Sequence, residues 1–296
     1  MKPTICLGTA QFGQAYGITN ASGQVPEDEV GRLLSEAQHA GVTYLDTAQA
    51  YGNAEAVLGR QLPTSHKFKL TSKLSAQSKP EFCSADTVMW ERNFHDSCNK
   101  LKAKTIDSYL LHAPSDLRKP GGYLLENWLL SLRERGLVNR LGVSIYAAED
   151  LEFINPTLLD LVQLPLSLYD QRMIMDGTID RLSTQGTKIH IRSVYLQGLL
   201  LTPAQRWPSW TPLDARFRQQ KLEELAKQRN CGLIELVLGF AQSLTNIEAV
   251  VLGVCNLDEL TATTKAWEKR IKWSSNEYKT WALQNPGILD PRNWPR

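Results

Sequence analysis

Residues Thr43-Tyr44-Leu45-Asp46-Thr47-Ala48-Gln49-Ala50-Tyr51-Gly52 decide how this chain reads. Val42, Tyr44 and Leu45 are apolar and β-favouring, and Asp46-Thr47 ends the run, so a strand stops at a polar turn. A helical segment, Asn53 to Gln61, follows. An acid at the carboxyl end of a buried strand is costly without a partner. Asp46 therefore calls for a cation, and Tyr51, five residues on, can lean over the same strand end. Lys73 follows the strand-like Phe68-Lys69-Leu70-Thr71-Ser72, and His112 follows Ile106-Asp107-Ser108-Tyr109-Leu110-Leu111. Taken singly, Asp46 suits a helix cap, Tyr51 a half-buried wall, Lys73 a surface lysine and His112 a loop histidine. Together, each at a strand terminus, they form a proton-transfer group.

Outward from this stretch, short β-type runs alternate with longer amphipathic runs, the pattern of βα units and a parallel sheet. The first strand is Ile5 to Leu7. Pro26-Glu27-Asp28-Glu29 opens a helix with proline and acids in its first turn. Its apolar face takes Val30, Leu33, Leu34 and Ala37, and Gly41 ends it. After the strands ending at Asp46 and Lys73, a long helix is predicted over 81–103 and the fourth strand over 106–111. Then come a helix over 124–135, the fifth strand over 138–143 and a short helix over 148–154. The sixth strand is predicted over 159–163, a helix over 177–184 and the seventh strand over 188–194. Two helices, 213–229 and 233–242, precede the eighth strand, 249–252, and its helix, 257–267. Eight strands with intervening helices point to an α/β (β/α)8 TIM barrel in a single domain, residues 1–296.

The chain of 296 residues is 42% hydrophobic, ample for one large core, and carries a formal charge of +2 from 33 basic and 31 acidic residues. No basic stripe or acidic run argues for nucleic acid or a membrane surface. No apolar run approaches the ~18 residues of a membrane span. Cys6, Cys83, Cys98, Cys231 and Cys255 have no CxxC spacing and no metal-ligand clustering with the histidines, which suits buried thiols in a reducing compartment. The expectation is a soluble cytoplasmic protein. His39, His66, His95 and His190 lack catalytic company and read as structural or surface residues. Two irregular segments rich in proline and tryptophan stand out, 202–212 and 285–296. The first follows a strand and reads equally well as a lid over the site or as a loop whose Trp207 and Trp210 pack on the barrel wall. The tail reads as packing.

In order and approximate spacing, the D-x-x-x-x-Y turn, the lysine after the next strand and the Leu-His after the following one resemble the catalytic tetrad of aldo-keto reductases. The resemblance runs from Leu7-Gly8-Thr9-Ala10-Gln11-Phe12-Gly13 to Val251-Leu252-Gly253-Val254. It implies reduction of an aldehyde or ketone with NADP(H), or with NAD(H). Tyr51 would be the general acid, its pKa lowered from ~10 by Lys73, with Asp46 holding the lysine and His112 orienting the carbonyl. Many members have a hairpin that floors the barrel before the first strand. Here the first strand starts almost at Met1, so that hairpin is absent or reduced and the floor must close another way.

The resemblance also assigns cofactor contacts. Gly8 and Thr9 match the family's first strand end. Ser144, in Gly142-Val143-Ser144, and Gln163 match the residues that bind the nicotinamide carboxamide, although Ile145 stands where an asparagine is usual. Arg192 replaces the aromatic beneath the nicotinamide. Three roles are open to it: stacking on the reduced ring, clamping an anionic substrate, or an internal ion pair with Asp160. Ser193, Gln197, Gly198 and Leu199 would embrace the pyrophosphate, and Gly253, Val254, Cys255 and Asn256 begin the last phosphate-binding loop. The usual basic residue for a ribose 2′-phosphate is missing at Cys255, Asn256 and Thr261, so the expectation of NADP(H) rests on family frequency. The rival reading is a cofactor-binding regulatory protein similar to the family's channel-associated β subunits. A third, a barrel isomerase with a phosphate site, leaves the tetrad unexplained.

Overall fold

The computed structural model describes residues 2–295. Eight parallel strands close into a barrel in chain order: β1 (Thr4–Gly8), β2 (Tyr44–Asp46), β3 (Lys69–Leu74), β4 (Ile106–Leu111), β5 (Val138–Ser144), β6 (Leu161–Pro165), β7 (Lys188–Arg192) and β8 (Ala249–Gly253). The barrel closes where β1 pairs with β8, Gly8 opposite Gly253, while Gly8 also stands opposite Asp46 of β2. The first helices are α1 (Ala10–Gly13), α2 (Glu27–His39), α3 (Ala54–Gln61), α4 (Asp86–Leu101) and α5 (Gly122–Glu134). They are followed by α6 (Arg172–Met175), α7 (Thr178–Thr184), α8 (Leu213–Gln228), α9 (Leu233–Ser243), α10 (Leu257–Lys269), α11 (Ser275–Lys279) and α12 (Pro286–Leu289). The apolar face of α2 is buried as its spacing requires: Val30, Leu33, Leu34 and Ala37 are all fully enclosed.

Several boundaries differ from the sequence reading, each for a local reason. Helix α4 begins at Asp86, not Glu81, because the Asp86 carboxylate accepts the Cys83 amide at 2.9 Å and fixes the first turn. It stops two residues short of Ala103, where Lys102 takes a left-handed conformation. Strand β6 is displaced by two residues: Asn155 caps a 3₁₀ turn over Pro156–Leu158, and the Asp160 side chain turns to the Leu141 amide and Arg133. Gln163 consequently sits inside the strand. Strand β7 ends at Arg192, not Val194, because Ser193 has φ +60°. The span 148–154 shortens to a 3₁₀ turn, Ala148–Leu151; α11 precedes the tail and the tail itself contains α12.

Among the described residues no hairpin precedes β1, and the amino end of the barrel is closed by a polar layer. Arg140 reaches Asp107 at 2.6 Å and Glu248 at 2.7 Å, and His190 Nε2 meets the same Glu248 at 2.9 Å. The Tyr44 ring lies edge-on to His190, centroids 4.9 Å apart, with the Arg140 guanidinium over it. Burial acts to raise the Glu248 carboxyl, but His190 and Arg140 hold it down to about 2. The floor is therefore an ionic cluster in which Arg140, Asp107 and Glu248 are paired, which is how a barrel interior tolerates charge.

Candidate active site

The opposite, carboxyl end of the strands carries the tetrad. Asp46 ends β2 and Lys73 lies on β3, both essentially inaccessible to solvent. The Lys73 ammonium donates to both Asp46 oxygens at 2.7 Å, to the Thr47 carbonyl at 3.0 Å and to the Tyr51 hydroxyl at 3.4 Å. Burial works against the lysine's charge, yet Asp46 and Tyr51 leave its pKa raised. The Tyr51 ring meets His112 edge-on, centroids 5.7 Å apart.

The expected lowering of the Tyr51 pKa is not what this arrangement produces. Burial raises it and Asp46 adds to that, and the opposing pull of Lys73 and Arg192 is smaller. The ligand-free phenol thus stays protonated, a proton donor in waiting. His112 behaves in the opposite sense. Burial, then Lys73 and Arg192, bring it down to about 4 against a weaker pull from Asp46, so its ring is neutral at physiological pH.

Tyr51 is placed by two glycines. A Cβ on Gly13 would fall 1.8 Å from the Tyr51 carbonyl oxygen, and one on Gly52, at φ +56°, would fall 2.2 Å from the Gly13 carbonyl. The α1 turn and the Tyr51–Gly52 turn touch backbone to backbone, which only glycine permits. Thr9 tightens the same junction, its amide and hydroxyl both donating to the Asp46 carbonyl at 3.0 and 2.9 Å.

A groove of about 410 Å³ opens over the tetrad. Of the anticipated residues it is lined by Gly8, Thr9, Asp46, Tyr51, His112, Arg192, Ser193, Gln197, Gly198, Gly253, Val254 and Cys255. Lys73 lies beneath it. Ser144, Gln163, Leu199 and Asn256 are outside its lining. Leu199 is buried in the core, and the Asn256 side chain caps α10 by accepting the Glu259 amide at 2.9 Å. Gln163 is wholly buried: its Nε2 donates to Asp46 Oδ1 at 2.7 Å, and its Oε1 has no partner. Ser144 is its register partner on β5.

Arg192 is not paired with Asp160, which is taken by Arg133 at 2.6 Å. Its guanidinium donates to the Ile145 carbonyl at 2.9 Å and lies 4.0 Å from the Tyr146 ring centre. Arg292, from the tail, stacks on that same ring at 3.5 Å. The tail therefore does reach the site. Trp207 and Trp210 are wall packing: Trp207 Nε1 donates to the Leu199 and Thr202 carbonyls, and Trp210 tilts against Trp294 with centroids 5.3 Å apart. The segment that crosses the groove is the loop after β1, whose Thr19 hydroxyl donates to the Gln197 carbonyl at 3.2 Å. Sequence reasoning missed Thr19, Tyr146 and Glu259, all of which line the groove. The Thr19 contact spans 178 positions, and no local pattern announces it.

Comparison with known proteins gives the family and agrees with the barrel fold. The chain is 31% identical over 159 residues to an aldo-keto reductase of Mycolicibacterium smegmatis, a match covering 51% of this chain and about half, 52%, of that relative. It is 24% identical over 272 residues to an aldo-keto reductase of Mycobacterium leprae, covering 83% of this chain and 91% of the other. A solved aldo-keto reductase of Bacillus halodurans, in its holo form, shares the fold with a TM-score of 0.69 at 18% identity, over 97% of this chain and 92% of that one. The model of the Aldo/keto reductase family matches residues 4–282, and the chain belongs to that family.

Proposed function

We propose that this chain is a nicotinamide-dependent carbonyl reductase that converts an aldehyde or ketone to an alcohol, working as one domain in the cytoplasm. The observation that carries the reading is the buried Lys73–Asp46 pair with the Tyr51 hydroxyl 3.4 Å from the ammonium, at the base of an open groove. The five free cysteines fit a reducing compartment, and among the described residues no helix is long and apolar enough to cross a membrane.

The groove fits a dinucleotide. Gly198, at φ +98°, and Gly253 let the groove wall pack closely on the neighbouring side chains Thr19 and Gln11: a Cβ there would collide, 1.9 Å from Thr19 Oγ1 and 2.5 Å from Gln11 Nε2. Ser193, Leu196, Gln197 and Gly198 all have positive φ, a strained loop of the kind found at ligand clamps. Ser193, Gln197 and Gly198 would hold the pyrophosphate, with Gly253, Val254 and Cys255 further along. Gln163, with its buried unpaired acceptor, and Ser144 suit a carboxamide. NADP(H) or NAD(H), when bound, supplies the hydride.

The protein's own part is proton transfer and positioning. Tyr51, protonated and buried, gives its proton to the carbonyl oxygen. Lys73 stabilises the phenolate left behind and Asp46 keeps the lysine charged and aimed. Neutral His112 donates a hydrogen bond that orients the oxygen. Arg192, which no carboxylate pairs among the described residues, uses its remaining donors on an anionic group of the substrate. The test is Tyr51→Phe, assayed with NADPH and NADH against a panel of aldehydes. Turnover should fall about 10²–10⁴-fold with dinucleotide affinity nearly unchanged. Turnover close to that of the parent removes Tyr51 as the acid.

A further inference from the structure

The groove has two ends of different chemistry. One holds Asp46, Tyr51, His112 and Arg192; the other is formed by Ile234, Cys255, Glu259, Ala262 and Thr263. If the nicotinamide half of a dinucleotide faces Tyr51, its adenosine half lies at the second end. Among the described residues lining that end the only charged side chain is Glu259, and none is lysine or arginine.

The start of α10 is also already supplied with acceptors. Glu259 Oε2 takes the Cys255 amide at 2.7 Å, Glu29 Oε1 takes the Leu257 amide at 3.0 Å and Asn256 takes the Glu259 amide at 2.9 Å. A helix amino terminus ordinarily attracts phosphate through free amides. Here those amides are spent on two carboxylates and the Asn256 side-chain oxygen. Burial first, and then the neighbouring Glu259 carboxylate, push the Cys255 thiol up to about 11. The Tyr195 phenol oxygen, enclosed at this same end, makes no well-formed hydrogen bond, which leaves a polar group suited to an uncharged ligand portion.

We propose that Glu259 sets the cofactor preference, accepting hydrogen bonds from the hydroxyls of an unphosphorylated adenosine ribose and repelling a 2′-phosphate, so that the chain prefers NAD(H) to NADP(H). The inference rests on the carbonyl-reductase reading of the groove. It reverses the expectation drawn from family frequency. Its physics is that of dinucleotide sites in general, where an acid contacts the ribose diol and a base accommodates the phosphate.

The experiment is equilibrium titration of intrinsic tryptophan fluorescence with NADH and with NADPH, at low and high salt. It is run on the parent, on Glu259→Gln, which keeps an acceptor for the Cys255 amide, and on Glu259→Arg. The parent should bind NADH about tenfold or more tightly than NADPH, and salt should narrow the gap by screening. Glu259→Gln should narrow it further and Glu259→Arg should invert it. Equal or tighter binding of NADPH by the parent overturns the proposal, as does a ratio unmoved in both folded variants. Failure to bind either dinucleotide instead overturns the carbonyl-reductase reading, and this inference with it.

Discussion

Replacing Lys73 by methionine tests the buried pair at the base of the site directly. Lys73 is inaccessible and Asp46 nearly so, and the two share contacts at 2.7 Å. Methionine keeps the stem's volume but strands a buried carboxylate and leaves the Thr47 carbonyl without its donor. Removing one partner of a buried pair costs roughly 3–5 kcal/mol, because the other charge stays unpaired. Two features place this case toward the lower end. Gln163 still donates to Asp46 Oδ1 at 2.7 Å. The part of the cost that comes from the stranded charge also cannot exceed that of protonating a carboxyl group at pH 7, about 4 kcal/mol. A loss of about 3–4 kcal/mol corresponds to a fall in Tm of roughly 10 °C. Asp46→Asn alone, which strands the ammonium, should be comparably damaging. The double variant, with no buried charge, should be less destabilised than either single one while remaining inactive. Urea unfolding followed by tryptophan fluorescence gives the three free energies, and a carbonyl reduction assay gives the activities. A Lys73→Met loss below about 1 kcal/mol, or single effects that simply add in the double variant, refutes the reasoning.

The remaining expectations concern charge and pH. Arg192→Leu should stay folded and raise KM for an anionic carbonyl substrate, the dinucleotide, or both; unchanged constants in the folded variant rule out a role at the groove. Because His112 is held neutral down to about pH 4, kcat/KM should show no inflection near pH 6.5. An inflection there that His112→Gln removes contradicts the buried, neutral imidazole. Glu248 has a folded pKa of about 2, below its unfolded value, so its contribution is present above about pH 5 and lost as pH falls toward 2. Glu248→Gln should cost roughly 2–3 kcal/mol at pH 7 and flatten the acid limb of the stability profile; an unaltered limb means the floor cluster contributes nothing.

The sequence determined the barrel and the convergence of Asp46, Tyr51, Lys73 and His112 at one end of it. Both depend on patterns that are local or repeat at short range: apolar runs bounded by turns, the amphipathic face of α2, and reactive side chains placed where a strand stops. In a parallel barrel every strand presents its carboxyl end to one face, so four strand-end residues must converge without further information. Where the reading slipped, a local side-chain contact had overridden the helical pattern at Asp86 or the β-favouring run at Asp160, or a positive φ had stopped a strand, as at Ser193.

Tertiary structure decided what depends on surroundings. The sign of the Tyr51 shift is the competition between its burial and the Lys73 charge, and burial depends on elements far along the chain. The partner of Arg192 is the Tyr146 ring, not Asp160, because the register sets Arg192 opposite Pro165 at the carboxyl end of β6 while Asp160 lies before its amino end. The closure of the floor by Arg140, Glu248 and His190, and the approach of Arg292 to the groove, join residues from distant elements that no short-range pattern links. Pairwise charge and packing energies fall off over a few ångströms, so they are fixed only when the fold has set which groups are neighbours.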